Sequence, residues 1–278
     1  MSALRPDDIS LVISLCRARA GLKVAGEKTY LIESRLAPIA RAAGFTSISE
    51  MLAELRVKRE ETLIWAVVEA MTLGETAFYR ERAAFDVFRD QLYPELARAR
   101  GGAPLKVWSA ACSTGQEVYS LALTIAGMQE SDPAVAVELA ASDISERALT
   151  RAQSGLYSQF EVQRGLPIRL LIQHFEKTDD AWRLSPQIRR MVRWRRINLI
   201  AGLSAVGRFD VVFCRGVLGS LDEPFQRKLL EDLTLVVPED GYLVLGAKES
   251  VAIAGDAFHP EAGQPGLYRR NPAFSKAA

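Results

Sequence analysis

The sequence predicts an α/β protein: a mostly parallel sheet with helices on both faces, preceded by a small all-helical domain. Three observations carry this. Apolar runs of strand length at 105–110, 136–141 and 209–214 alternate with stretches whose apolar residues recur at helical spacing. The first run enters its helix through a small-residue turn, Ser113-Thr114-Gly115. Residues up to about 71 carry helix signals only.

The helical part comes first. Asp7 or Asp8 is expected to cap a helix that places Ile9, Val12, Ile13 and Cys16 on one face and stops at Gly21. A second helix is expected over 27–43, kinked at Pro38 and ended by Gly44. Ser47 and Glu50 have capping-box spacing ahead of Met51, Leu52 and Leu55, and a fourth helix carries Leu63, Ile64, Val67, Val68 and Met71. The basic residues Arg35, Arg41, Arg56, Lys58 and Arg59 are interleaved with acids. They read first as solvated faces and second as a docking surface for an acidic helix.

TLGETAFYR, residues 72–80, joins this bundle to a helix carrying Phe85, Phe88 and Leu92. It reads as a linker with an N-capping Thr76 and a packed Phe78, or as one wall of a ligand pocket. After the second strand and a helix over 145–153, the stretch 182–197 holds six arginines and no acid. Val192 and Trp194 alternate there with Arg193 and Arg195. That is strand periodicity, which suits an edge strand guarded by charge or a landing strip for an acidic peptide or nucleic acid. Glu223-Pro224 opens another helix. LVVPEDGYLVLG (235–246) supplies a helix end, a turn and a strand, and 266–269 a last strand.

Composition sets limits. At 278 residues and 49% hydrophobic content the chain can bury one large core, or a medium core with a small satellite. The net charge of +1 gives no reason to expect a polyanion. No apolar run approaches the roughly 18 residues that span a bilayer, and MSALRPDDIS has no signal-peptide core, so the expectation is a cytoplasmic protein without membrane insertion. Cys16, Cys112 and Cys214, with only His174 and His259 beside them, suit neither a zinc site nor a disulfide framework. No metal is expected, and the thiols read as small buried hydrophobes.

The site lies at the first strand-turn-helix unit. A strand that feeds a helix through a small-residue turn opens a crevice at its carboxyl end, and Asp143 at the next strand tip suits the hydroxyls of a ribose. The turn is not GxGxxG, which argues against NAD and FAD. A nucleoside cofactor without phosphates, such as S-adenosylmethionine (SAM), needs no anion cradle, and Glu117 would favour its positive charges. The alternative is that Glu117 is an exposed first-turn carboxylate favoured by the helix dipole.

Taken together, TLGETAFYR, WSAACSTGQEVYS, ASDIS, the arginine-rich hairpin, INL, FDVVFCRGVL and PEDGYLVLGAKE resemble the CheR family of chemotaxis receptor methyltransferases over nearly the whole chain. The resemblance implies a class I SAM-dependent methyltransferase fold, a Rossmann-like doubly wound sheet over 99–278. It adds an N-terminal helical domain over 1–71, a linker and connecting helix over 72–98 and an inserted antiparallel β-subdomain at about 178–197. It implies a protein-glutamate O-methyltransferase of chemotaxis signal transduction that takes SAM, leaves S-adenosylhomocysteine (SAH), and acts on the cytoplasmic helical region of methyl-accepting receptors. The protein would be a monomer, recruited to receptor arrays, with the helical domain contacting the receptor.

By the same resemblance Thr76 and Arg80, with Gly74 beside them, line the pocket near the methionine moiety, and Glu117 and Asp143 hold the amino group and ribose. Asn198 and Leu199 flank the adenine, and Arg215 with Gly216 closes the site. Arg80 is expected to orient the acceptor carboxylate through its guanidinium fork. The run FCRGVLGSLD departs from the family's FCRNVLIYF: Gly216 replaces an asparagine, and Ser220 a tyrosine that walls the methyl acceptor; many members also have asparagine at Gly74. The departures favour slower turnover. They leave a binding module with little catalysis as the second reading, and a nucleic-acid methyltransferase as a third that the charge and motifs oppose.

Overall fold

A computed structural model describes residues 4–27, 29–72 and 74–274. The first three residues, which open the stretch read for a signal peptide, Lys28 in the expected second helix, Leu73 in TLGETAFYR and the last four residues lie outside them. The chain divides into two compact units, Met1–Leu73 with Gly219–Phe225, and Gly74–Leu218 with Gln226–Ala278. No helix of the described residues is long and apolar enough to cross a membrane.

The smaller unit is built from α1 (Pro6–Ala20), α2 (Thr29–Ala42), α3 (Ile48–Lys58) and α4 (Glu61–Met71). Val12, Cys16, Ile32, Leu36, Met51, Leu52, Val67 and Val68 are buried. Two local expectations are corrected. Pro6 takes the first turn of α1 behind Arg5, and no side chain caps it, because proline's fixed φ already suits that position. Asp8 is instead fully buried and accepts from Arg5 Nε (3.2 Å), Ser49 Oγ (3.0 Å) and Arg56 Nη2 (2.9 Å). At α3, Ser47 Oγ accepts from Glu50 N–H at 3.1 Å, but Glu50 turns back to the N–H of Thr46 at 2.8 Å, one residue before the cap.

The segment Gly219–Phe225, far away in sequence, belongs to this unit. Lys23 N–H donates to Ser220 O at 2.8 Å, Asp222 N–H to Gly21 O at 2.9 Å, and Arg17 Nε pairs with Asp222 Oδ2 at 2.7 Å. Nothing in the periodicity of 219–225 announces these main-chain and ionic ties.

The larger unit starts at Gly74, so the expected linker is part of its body. A helical run of α5 (Ala83–Val87), a π segment (Phe88–Leu92) and α6 (Tyr93–Ala99) buries Phe85, Phe88, Leu92 and Leu96. The π segment closes by Tyr93 N–H to Phe88 O just ahead of Pro94, which has no N–H for the regular ladder. The sheet strands are β1 (Leu105–Ala110), β2 (Val137–Asp143), β6 (Val192–Arg196), β7 (Val211–Phe213), β8 (Tyr242–Val244), β9 (Phe258–Pro260) and β10 (Leu267–Arg270). Their order is β6-β2-β1-β7-β8-β10-β9, parallel through β8, with β10 and β9 antiparallel. Helices α7 (Gln116–Ser131), α8 (Glu146–Ser154), α11 (Pro186–Arg189) and α12 (Glu223–Val236) accompany the sheet; the first three residues of α12 count with the smaller unit. Trp108, Tyr119, Phe213 and Leu243 are among the fully buried side chains.

The inserted subdomain differs from its expected bounds. Its antiparallel sheet is β3 (Leu156–Ser158), β5 (Ala181–Leu184) and β4 (Phe175–Lys177), in that order, with α9 (Gln159–Gln163) and α10 (Ile168–His174) between the first two in sequence. The insertion therefore begins near 156, not 178. The arginine-rich strand β6 lies outside it, at the edge of the main sheet beside β2. Edge placement accounts for its alternation: Val192 is buried, while Arg193 on the opposite face pairs with Glu138, and at the strand end Arg196 pairs with Glu146, which keeps the free edge charged.

Candidate active site

The chain runs outward from β1 to β2 and β6 on one side and then to β7 and β8 on the other, so the strand order, though not the strand direction, reverses between β1 and β7. Ligands of open α/β sheets bind at such a point, outside the carboxyl ends of the strands. Most of the residues singled out in the sequence meet there.

The turn after β1 is held in unusual backbone. Ala111 (φ 56°), Ser113 (φ 52°) and Gly115 (φ 94°) are left-handed, and conformations of this kind persist at non-glycine residues only when their surroundings fix them. Here Cys112 N–H donates to Ser142 O and Ser113 N–H to Asp143 Oδ2, both at 2.8 Å. Asp143 Oδ1 accepts from Ser145 N–H at 2.9 Å. The Asp143 carboxylate is thus aimed by main chain from both sides. Gly115 is required for packing: a β-carbon there would lie 2.9 Å from Ala152 Cβ and 3.0 Å from the Tyr157 hydroxyl.

Glu117, in the first turn of α7, is mostly buried, with its side chain 12% exposed, which removes the reading of an exposed first-turn carboxylate. Its Oε1 accepts from Ser109 Oγ at 2.8 Å and its Oε2 from Arg215 Nη1 at 3.0 Å. Burial raises its pKa above the ordinary 4.5, and the like charge of Glu249 adds to this. Arg215 and Ser109 oppose the rise without cancelling it. The site therefore favours an added positive charge. With Ser113 N–H spent on Asp143 and two carboxylates at the turn, the donor set suits a cation and hydroxyl groups and opposes phosphate. Those are the demands of SAM's ammonium, sulfonium and ribose, and the residues fit it.

Arg215, past the end of β7, is 5% exposed at its side chain and acts as a strut. Besides Glu117 it reaches Arg80 O (2.7 Å) and Glu81 Oε2 (2.9 Å) through Nη2, and its guanidinium carbon lies 5.6 Å from the centre of the Phe85 ring. Glu81 also accepts from Ala247 N–H at 3.0 Å; these hydrogen bonds and the charge of Arg215 outweigh burial and lower its pKa. Arg80 thus sits between two left-handed residues, Tyr79 (φ 47°) and Glu81 (φ 53°). Tyr79 N–H is fixed on Ser120 Oγ at 2.8 Å. The Arg80 side chain is exposed; Nη1 donates to Glu75 O at 2.7 Å, and among the described residues it forms no ion pair with a carboxylate.

The remaining residues fall as follows. Asn198 and Leu199 follow β6 directly, where Ile197 N–H donates to Asp143 O at 3.1 Å, so they stand beside Asp143. Thr76 is half-buried and Gly74 exposed in the segment leading to Arg80. Thr76 is not the cap expected of it, because the next helix starts at Ala83 behind Arg82. Gly216 is left-handed (φ 73°), and its N–H donates to Glu249 Oε2 at 2.8 Å. Ser220 belongs to the helical unit and is described with it. Burial raises the thiols of Cys16, to about 12, and of Cys112 and Cys214, as inert packing groups require.

Sequence reasoning passed over Glu81, Glu249 and Tyr157. The Tyr157 hydroxyl donates to Thr114 O at 2.8 Å, and its ring meets Phe78 edge-on with centroids 5.0 Å apart. One buried side chain of the inserted sheet therefore touches both the cofactor turn and the segment leading to Arg80. Only an aromatic in a short strand marked it in the sequence. Glu81 had the signal of an acid next to Arg80.

Comparison with known proteins agrees with this geometry. A family model described as CheR methyltransferase, all-alpha domain, matches residues 7–72, and one described as CheR methyltransferase, SAM binding domain, matches residues 74–266. Chemotaxis protein methyltransferase 1 of Vibrio cholerae is 34% identical over 253 residues, covering 90% of this chain and 91% of that protein. Chemotaxis protein methyltransferase 1 of Pseudomonas aeruginosa is 33% identical over 267 residues, covering 95% and 97%. Chemotaxis protein methyltransferase Cher2 of Pseudomonas putida is 32% identical over 251 residues, covering 89% and 91%. With both stretches matched in order, and acids rather than a phosphate cradle at the cofactor turn, the chain belongs to the CheR methyltransferase family.

Proposed function

We propose that the protein methylates glutamate side chains on the cytoplasmic helical region of chemotaxis receptors, forming methyl esters during adaptation, and that it works at receptor arrays. The observation that carries this reading is an exposed arginine, Arg80, with no carboxylate partner among the described residues, beside a turn lined by the acids Glu117 and Asp143. Glu117 takes the cofactor's amino group, Asp143 its ribose, Asn198 and Leu199 its adenine, and Gly74, Thr76 and Arg80 its methionine end, with Arg215 and Gly216 closing the site. Bound there, SAM supplies a methyl group on a positively charged sulfur.

The protein's work is positioning. A glutamate carboxylate is already ionised at neutral pH and needs no general base. Arg80 orients it, the Arg215 strut fixes the Arg80 main chain, and Phe78, Phe85 and Tyr157 exclude water from behind the loop. The helical unit, with basic residues on α2 and α3, docks the acidic receptor helices, and Ser220 occupies the sequence position at which family members carry a tyrosine.

Radiolabelled methyl transfer from SAM to receptor-rich membranes tests this. The expected result is label on the receptor that alkali releases as methanol, as an ester must. Alkali-stable label, label on nucleic acid, or binding of SAH and receptor without transfer would overturn it.

A further inference from the structure

We propose that Glu249 is a positioning residue for this reaction, its carboxylate clamping the turn after β7 to the loop after β8. Oε2 accepts from Gly216 N–H and Gly246 N–H, each at 2.8 Å, and Oε1 accepts from Leu218 N–H at 2.9 Å. β7 and β8 are neighbouring parallel strands, so one side chain ties together the loops at their carboxyl ends. The residue is itself pinned at both peptide groups: its N–H donates to Gly246 O at 2.8 Å and its carbonyl accepts from Tyr268 OH at 3.1 Å.

The space for the clamp is built in. A β-carbon on Gly246 would lie 2.9 Å from Glu249 Oε2, so glycine at 246 leaves room for the carboxylate. The choice of a carboxylate also follows. Three main-chain donors converge on two oxygens, and an ionised acid accepts all three, whereas a glutamine would turn its NH2 toward at least one of them. What is held is the turn that starts at Arg215: fixing Gly216 fixes the main chain from which Arg215 reaches Glu117, Glu81 and Arg80 O. The inference rests on the proposed reading of this turn as the cover of the reacting end.

Two variants test it by different routes. Glu249→Gln removes one acceptor; Gly246→Ala keeps the charge but pushes the carboxylate aside, and its backbone is outside the left-handed region. Each should lower kcat, counted per SAH-binding site, by about 10- to 100-fold while the Kd for SAH moves less than about threefold, because a misplaced reacting end costs rate before it costs binding. Amide hydrogen exchange should accelerate at Gly216, Leu218 and Gly246 and not in β1 or α7. Wild-type kcat with those amides exposed would reduce Glu249 to a structural prop. Loss of kcat in Glu249→Gln but not in Gly246→Ala would make it a charge and not a clamp. Unchanged exchange overturns the proposal even if the wild type bound SAH without methylating receptors, which would be the separate failure of the proposed function.

Discussion

Arg80 Nη1 lies 3.8 Å from the point where a β-carbon on Gly216 would stand, and no other atom of the described residues outside the flanking ones comes within 4 Å of that point. The family's asparagine at this position would therefore enter open space beside the arginine proposed to orient the acceptor. Asparagine is among the few residues that tolerate the φ of 73° found there. Gly216→Asn together with Ser220→Tyr should raise the methylation rate on receptor more than it tightens SAM binding. Initial rates and SAH calorimetry on the same preparations measure the two effects. A double variant no faster than a wild type that already turns over briskly would show that these family residues are not needed here.

The Arg215 strut makes a second expectation specific. Its guanidinium meets Glu117, Glu81 and the Arg80 carbonyl through two nitrogens, a fork that a lysine's single ammonium cannot reproduce. Arg215→Lys should weaken SAH binding by about 10-fold or more, as losing a charged hydrogen bond of about 1.5–3 kcal/mol requires. It should lower kcat further, since the Arg80 loop is freed. Calorimetry and single-turnover kinetics separate the two, and unchanged SAH affinity would remove Arg215 from the cofactor site.

What the sequence made legible was whatever repeats locally. Strand and helix periods marked β1, α7 and β2, and the tip of β2 placed Asp143. What it hid were interactions without a period. Asp8 looked like a cap because it stands near a helix start, yet Arg56 and Ser49, over forty residues away, claim it. The alternation of β6 was read correctly as a strand but could not say which sheet it joined; both a hairpin and a main-sheet edge need one apolar and one basic face. Glu249 clamps main-chain donors, which leave no trace in residue identity.

Asp8 gives a prediction for the helical unit. It is fully buried; burial is the largest single effect and raises its pKa, but the hydrogen bonds from Arg5, Ser49 and Arg56 and the charge of Arg5 together outweigh it, and the pKa is lowered. A depressed acid contributes stability that is complete above its ordinary pKa of 3.8 and is lost as pH falls through the folded value. Asp8→Ala should therefore destabilise this unit by about 1–3 kcal/mol, the cost of losing charge-assisted hydrogen bonds whose arginine donors stay partly in water, 62% exposed at Arg5 and 33% at Arg56. The loss should shrink in strongly acidic solution. Chemical denaturation followed at several pH values measures it, and a loss independent of pH would mean that packing, not the ion pair, holds Asp8.

Glu117 should behave in the opposite sense, and this separates its stability role from its binding role. Burial raises its folded pKa above 4.5, so the stability it contributes is present below the ordinary value and is lost as pH rises through the raised one. The ligand-free protein thus holds the ionised carboxylate at a cost. An ammonium placed against the carboxylate favours its ionised form, so SAH binding should tighten as pH rises through the same window and should release protons there. Calorimetry of SAH binding in buffers of different ionisation heat, repeated across pH values above 4.5, detects that release. Glu117→Gln should abolish the proton release, weaken SAH binding by about 10-fold or more, and remove this fall in ligand-free stability with rising pH. Proton uptake in place of release, or a glutamine variant that binds SAH as the wild type does, would show that the cofactor's cation lies elsewhere and that Glu117 serves only to hold Arg215.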